Sequence, residues 1–397
     1  MTLAFRRALA VGFALFAVSA AATAQDFNAA PPNAERQSPA IAGQTRAPVI
    51  PAEPALRREV IADGLRHPWG VDQLPDGSWI VTERPGRMRI VTPDGRKSRP
   101  IDGLPEVDAR RQGGLLDVTV APDFATSRRV WWSYAEPRGG RENATAVATG
   151  VLSPDARRME DVSVIFQQQP AVASGAHFGS RLVFDPTGAL FVTTGDRYGP
   201  RESAQDVGTH LGKVLRISPG GGAAPGNPRI SRGLPEIWSY GHRNIQAAAI
   251  APDGALWTVE HGPKGGDELN RPQPGRNYGW PVISYGEEYS GQPIGSGSTA
   301  REGMEQPVYY WDPVIAPSGM AFYDGALFPD WRGSLLIGGL ASQALVRLTL
   351  EDGRVTGEAR YQEGRGRVRD VDVAADGSVI ILIDANNGSL VRLTPDG

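Results

Sequence analysis

Cysteine is absent from the 397-residue chain. That excludes a disulfide framework, thiolate-held zinc, iron–sulfur clusters and a thiol nucleophile together. Lysine is scarce: Lys97, Lys213 and Lys264 stand among 41 basic residues, a bias of the kind a GC-rich genome imposes. Charge of one sign is not in excess, since 44 acidic residues leave a net charge of −3. No basic patch follows from that balance, and nucleic acid is not an expected partner. Beyond the first 25 residues no run approaches the roughly 18 apolar residues of a membrane helix, so no membrane span is expected in the mature chain. What is abundant is conformational punctuation, 49 Gly and 33 Pro. That is about a fifth of all positions against about 12 per cent in average usage. The composition points to a turn-rich, all-β chain, and 40% hydrophobic with 21% charged residues excludes wholesale disorder.

The chain starts MTLAFRRALAVGFALFAVSAAATAQ, with Arg6 and Arg7 before an apolar stretch and Ala22-Thr23-Ala24 after it. This is the pattern of a secretory signal peptide over residues 1–24, with the mature protein periplasmic or secreted. Residues 25–57 are rich in Pro and Ala without periodicity, and are read as a flexible or extended arm. From residue 58 to 397 one pattern recurs six times, a tight turn followed by a short apolar strand. The turns are Pro75-Asp76-Gly77, Pro122-Asp123-Phe124, Asp185-Pro186-Thr187-Gly188, Pro252-Asp253-Gly254, Pro329-Asp330-Trp331-Arg332-Gly333 and Asp376-Gly377. Asp and Gly supply turn geometry, and the Val, Ile, Leu, Thr and Trp that follow suit a pleated strand. Six units of about 57 residues, each long enough for four strands, predict a single six-bladed β-propeller domain.

Propeller chemistry sits on loops around the central channel, so polar clusters at strand ends are the candidates. Of five histidines, His177 stands in SGAHFGSRLVF, and the next strand ends in Thr193-Thr194-Gly195-Asp196. Antiparallel pairing can return Asp196 to His177, the usual way of fixing a histidine base, although a lone histidine is also readily structural. Arg243 and Asn244 offer adjacent planar donors suited to carboxylates and quinone oxygens, or else a buried Arg paired with a structural Asp. The loop Glu260-His261-Gly262-Pro263-Lys264-Gly265-Gly266-Asp267-Glu268 combines free carbonyls with carboxylates, a donor set that suits Ca²⁺. It has neither EF-hand nor zincin spacing. Arg365, Arg367 and Arg369 alternate along one strand, so they share a face that is either aimed at an anion or solvated. No G-x-S-x-G, Walker A or G-x-G-x-x-G is present.

The motifs HPWGVDQLPDG, GGLLDVTVAPDF, HFGSRLVFDPTG, TTGDR, HLGKVLRI, YGHRN-x-Q, EHGPKGGDELN, GRNYGWP, EQPVYYWDP, SGMAFY and RVRDV stand in this order. In them the chain resembles the soluble aldose sugar dehydrogenases that depend on pyrroloquinoline quinone (PQQ), the group related to soluble glucose dehydrogenase. The resemblance covers nearly the whole mature chain and implies a six-bladed propeller with PQQ and Ca²⁺ over the channel. It implies His177 as general base supported by Asp196, and Gln112 as a cofactor contact. Arg243 and Asn244 match the pair beside the reactive quinone carbonyl, and Gly262 and Pro263 the carbonyls that hold cofactor-bound Ca²⁺. Glu268 and Tyr278 match calcium positions of the aldose-type relatives, Tyr289 a further cofactor contact, and Arg367 and Arg369 the clamp on the quinone carboxylates. The chain departs from the family at Ile245-Gln246-Ala247, where Pro and Gln-Gly are common, and at Ala341, where a lysine often stands.

The implied reaction is oxidation of an aldose at C1 to the lactone, with hydride passing to the quinone and electrons onward to an acceptor the sequence does not name. A Ca²⁺-dependent propeller lactonase and a non-enzymatic sugar-binding propeller are the rivals. Both leave Gln112, Arg243, Asn244, Arg367 and Arg369 without a common purpose.

Overall fold

Each of the six turns joins the first and second strands of an antiparallel blade in the computed structural model, which describes residues 26–396. The leader expected over 1–24 lies outside the described residues. The first strands of blades one to six are Pro68–Gln73, Leu115–Val120, Gly179–Phe184, Ile245–Ile250, Pro317–Phe322 and Val368–Val373. Each of these inner strands touches the next around the ring, and the sixth touches the first. The fold is a six-bladed β-propeller.

The second strands of blades one, three, four, five and six are Trp79–Glu83, Leu190–Thr194, Leu256–Glu260, Leu335–Gly339 and Val379–Ile383. All five are buried along their full length. A strand covered on both faces by neighbouring blades needs no polar side, which is why VIILI does not alternate. Six hydrophobic clusters fill the six gaps between adjacent blades. Trp79, Trp132 and Trp331 are among their largest fully buried side chains.

Blade one departs from the expected four strands and has three. The sixth blade takes its outermost strand, Leu56–Leu65, from the start of the domain and pairs it with Gly388–Pro395. That strand begins two residues before the boundary expected at 58. Residues 26–55, within the stretch read as an arm, lie along the outer edges of blades four and five. Tyr310 N–H donates to the Gln44 carbonyl (2.8 Å), Ile50 N–H to the Glu358 carbonyl (2.9 Å), and Trp331 Nε1 to the Glu53 carbonyl (3.1 Å). Composition alone does not reveal this seating, because on the arm's side these three bonds use main-chain groups that any sequence carries. Among the described residues no helix is long and apolar enough to cross a membrane.

Candidate active site

The beginnings of the inner strands and the ends of the second strands meet on one face of the ring, and the candidate residues gather there in two adjoining hollows. His177 Nδ1 lies 2.7 Å from Asp196 Oδ1. The other carboxylate oxygen accepts a bond from Trp280 Nε1 (2.8 Å), and Tyr198 N–H donates to Oδ1 (2.7 Å). An ionised carboxylate only accepts, so Nδ1 carries the proton and Nε2 keeps its lone pair. Burial would raise Asp196, yet the bond and charge of His177, with Arg243, hold it below the usual carboxylate range. Burial lowers His177 from 6.5, opposed by the Asp196 bond and reinforced by the Arg243 charge. His177 has a left-handed backbone (φ 52°), fixed by its N–H donating to Gln112 Oε1 at 2.8 Å. The approach of the two segments demands glycine at 195, where a Cβ would stand 2.1 Å from the His177 carbonyl oxygen.

His177 and Asp196 line an outer hollow of about 390 Å³ together with Tyr198, Arg201, Arg243, Pro263, Trp280, Glu288 and Tyr289. Tyr198 and Tyr289 are among the most exposed large aromatics, 57% and 66%. Arg201 and Glu288 pair across the hollow at 2.5 Å.

The inner hollow, about 140 Å³, has apolar walls from Trp69, Leu116, Phe178 and Leu340, and an edge of Arg84, Arg367, Arg369, Gln112, Asn244 and Gln246. Three guanidiniums share one counter-charge. Arg369 Nη2 and Arg367 Nε stand 3.4 and 3.6 Å from Asp384 Oδ2, and Asp384 also pairs with His67 (2.8 Å). Burial, with Arg367 and Arg84 nearby, pulls Arg369 down to about 10 despite Asp384, and burial lowers Arg84 as well. Among the described residues the buried Nε atoms of Arg84, Arg243 and Arg369 find no hydrogen-bond partner. Crowded, under-bonded guanidiniums around an apolar slot fit a flat polyanion, and the three carboxylates and planar rings of PQQ meet that description.

Beside both hollows a cavity of about 10 Å³ is enclosed by Arg243, Glu260, Gly262, Pro263, Glu268 and Tyr278, among others. That is about the space of one water-sized sphere. Glu268 is pushed up to about 8 by burial and by the Glu260 charge, and its one protein partner is Asn270 (3.1 Å). Among the described residues no three His, Cys, Asp or Glu side chains converge as a metal shell. Two carboxylates line the cavity with main-chain carbonyls, and since Glu260 already accepts from His242, Arg243 N–H and Asn270, Glu268 is the freer one. This hard-oxygen set fits Ca²⁺ and not a transition metal.

The structure therefore brings together His177, Asp196, Arg243, Asn244, Gln112, Arg367 and Arg369. Among the described residues the Arg243 guanidinium has no carboxylate partner: Nη1 donates to the carbonyls of His261 (3.0 Å) and Gly262 (2.7 Å). Gly262 and Pro263 lie at the small cavity with Glu268. Tyr278 lines it too, but its hydroxyl is committed elsewhere, donating to the Arg271 carbonyl (2.7 Å) and accepting from Gln273 N–H (2.9 Å). Tyr289 lines the outer hollow with Arg201 and Arg243, and not the inner one edged by Arg84, Arg367 and Arg369. Ala341 is exposed, and its neighbour Leu340 is the residue that meets the inner hollow. The Ile245-Gln246-Ala247 departure leaves Arg243 and Asn244 in place, and Gln246 itself accepts from Arg369 Nη1 (3.1 Å). His261 is committed elsewhere: Nε2 donates to the Pro317 carbonyl (2.7 Å), and burial depresses it to about 3. Arg84, Asp384, Gln246, Tyr198 and Trp280 escaped sequence reasoning. Arg84 and Asp384 each follow the second strand of a blade, as His261 and Leu340 do, so aligning the repeats on that strand would have found them.

A family model for Glucose / Sorbosone dehydrogenase matches residues 65–392. The aldose sugar dehydrogenase YliI of Escherichia coli K12 is 43% identical over 344 residues, 85% of this chain and 92% of the relative. A glucose dehydrogenase crystal structure is 48% identical with a TM-score of 0.82, covering 85% of this chain and 99% of its own. The PQQ-bound aldose sugar dehydrogenase of Streptomyces coelicolor is 28% identical with a TM-score of 0.70, over 86% and 100%.

Proposed function

The chain belongs to the glucose/sorbosone dehydrogenase family of oxidoreductases, and we propose that it oxidises an aldose at C1 to the lactone, with PQQ as hydride acceptor and Ca²⁺ assisting. The observation that carries the proposal is the closeness of the two hollows: His177, with Nδ1 on Asp196, and Arg243 line the outer one, while the next residues in the chain, Phe178 and Asn244, line the inner one edged by under-bonded arginines.

The bound quinone would supply the two-electron acceptor, and Ca²⁺ the positive charge that polarises its carbonyl. Arg84, Arg367 and Arg369 would hold its carboxylates, Trp69 and Phe178 would pack its faces, and Gln112, Asn244 and Gln246 would meet its polar edges. Glu268 with the carbonyls of Gly262 and Pro263 would hold the cation, with Tyr278 contributing no more than its main chain. His177 Nε2 takes the proton from the C1 hydroxyl as hydride leaves the same carbon. Asp196 keeps the imidazole in the required tautomer and balances its charge once protonated. Arg243 places positive charge where negative charge develops. Tyr198, Tyr289, Arg201 and Glu288 offer a rim of apolar faces and hydrogen-bonding groups of the kind a sugar ring meets.

With the leader of residues 1–24 removed on export, the propeller, which starts at Leu56, works in the periplasm or outside the cell and passes its electrons onward to an acceptor. Quinone-free protein is the test. It should be folded and inactive, and gain dye-linked aldose oxidation only when PQQ and Ca²⁺ are both added. Turnover without quinone would overturn the proposal and favour a hydrolase.

A further inference from the structure

We propose that residues Asn28 to Ala47 form a strap that positions the Gly262–Glu268 loop, so that cation and quinone affinity depend on a segment outside the propeller repeat. The affinity half rests on the cofactor assignment above, while the positioning half does not.

The loop contains Gly265 and Gly266 in left-handed conformations (φ 85° and 68°), residues with little conformational preference of their own. Neighbours must hold it: Arg243 holds the Gly262 carbonyl, Lys264 and Glu287 exchange main-chain bonds, and two flanks press on the glycine pair. On one side, a Cβ at Gly265 would come within 3.0 Å of Ala34 Cβ and 3.1 Å of Asp312 Oδ2. On the other, a Cβ at Gly266 would come within 2.6 Å of the Tyr285 main chain. Strap residues fasten both flanks. Asp312 accepts from the N–H groups of Asn33 and Ala34, and its carbonyl accepts from Arg46 Nη2 (2.9 Å). Val314 N–H donates to Asn33 Oδ1 (2.9 Å), and the next two N–H groups, Ile315 and Ala316, donate to Oδ2 of Asp267, the first residue of the strand Asp267–Asn270 into which the loop runs (2.9 and 2.7 Å). Tyr285 donates its hydroxyl to Gln44 Oε1 (2.8 Å), while Gln44 Nε2 donates to the Pro307 carbonyl (2.8 Å). Ala34, Gln44 and Ala47 are buried at 1%, 2% and 3% exposure, the burial of a seated segment. Carbonyls fixed before the ligand arrives spare it the entropy of ordering them.

The experiment uses full-length chains. Gln44→Ala with Arg46→Ala unfastens the strap without touching a loop residue, Ala34→Leu wedges it off Gly265, and Glu35→Ala at an exposed strap position is the control. Hydrogen exchange of peptides spanning 261–268, in protein free of quinone and Ca²⁺, should quicken roughly tenfold or more in the first two and stay unchanged in the third. Ca²⁺ titrations followed by Tm, and PQQ titrations followed by absorbance, should weaken by about tenfold in the same two variants. Should the double variant fail to fold, Ala34→Leu, which keeps every anchor, decides alone. Loop exchange equal to wild type overturns the proposal. So does faster exchange with unchanged Ca²⁺ and PQQ affinities. If exchange quickens but even the wild type ignores both ligands, the strap stands and the cofactor assignment falls.

Discussion

As the proposed base, His177 meets two competing demands, since the imidazole must be neutral to accept a proton and must tolerate the charge that follows. Burial and Arg243 favour the neutral form, and Asp196 favours the charged one. His177→Ala should cut the rate of quinone reduction by sugar roughly 10² to 10⁴-fold, with quinone binding nearly intact, as rapid mixing on reconstituted protein would show. The same rate should be flat in pH above the lowered His177 pKa and fall below it. Asp196→Asn removes the influence that raises that pKa, so the acid limb should move to lower pH while the plateau drops. A limb moving upward would mean that His177 is not the titrating base. Arg84→Met makes a separate claim. Losing one charge-assisted contact, about 1.5–3 kcal/mol, should weaken PQQ roughly 10- to 100-fold. The Tm of quinone-free protein should hold or rise, because one of three crowded guanidiniums has gone. At this scale the sequence was informative wherever a residue sat in a distinctive motif. His177 and Asp196 were legible because a tight strand pair separates them. Arg84 was not, because an arginine after a strand carries no mark until the fold shows what it faces.

The element that organises the site is the end of the second strand. The residue just past it in blades one, four, five and six, Arg84, His261, Leu340 and Asp384, lines the inner hollow. In blade three that place is Gly195, followed by Asp196. Gly195→Ala should cost about 1–3 kcal/mol in urea denaturation, the usual penalty of overpacking, and displace His177. Equal stability would show that the two segments can part without consequence. The Gly262–Glu268 loop, which follows the same strand in blade four, makes a further claim. If it holds Ca²⁺, a chelator should lower Tm as well as activity, since a ligand of the folded form alone stabilises it by mass action. The loop's carbonyl-rich composition was readable, but the commitment of the Tyr278 hydroxyl to Arg271 and Gln273 was not, because side-chain direction depends on packing that the chain order does not reveal.

For the molecule as a whole, turn spacing made the number of blades legible, whereas strand count per blade was less so, since outer strands are the least patterned part of each repeat. The first blade's missing strand and the sixth blade's borrowed one follow from a single fact, the pairing of Leu56–Leu65 with Gly388–Pro395. Val391 lies fully buried between Val60 and Ile381. Val391→Pro, which removes a ladder donor from a central strand, should cost about 3 kcal/mol or more. Because every blade leans on two others, tryptophan fluorescence and circular dichroism should report one shared transition. Independent melting of separate blades would contradict a closed ring. That seam also sets an order of events in time. Contacts between the two ends of a chain are the slowest to find, and the gap between blades six and one stays unfilled until the last ten residues have emerged. The tail acts as a latch that clicks shut last: until it pairs with the first strand, the ring stays open at one seam.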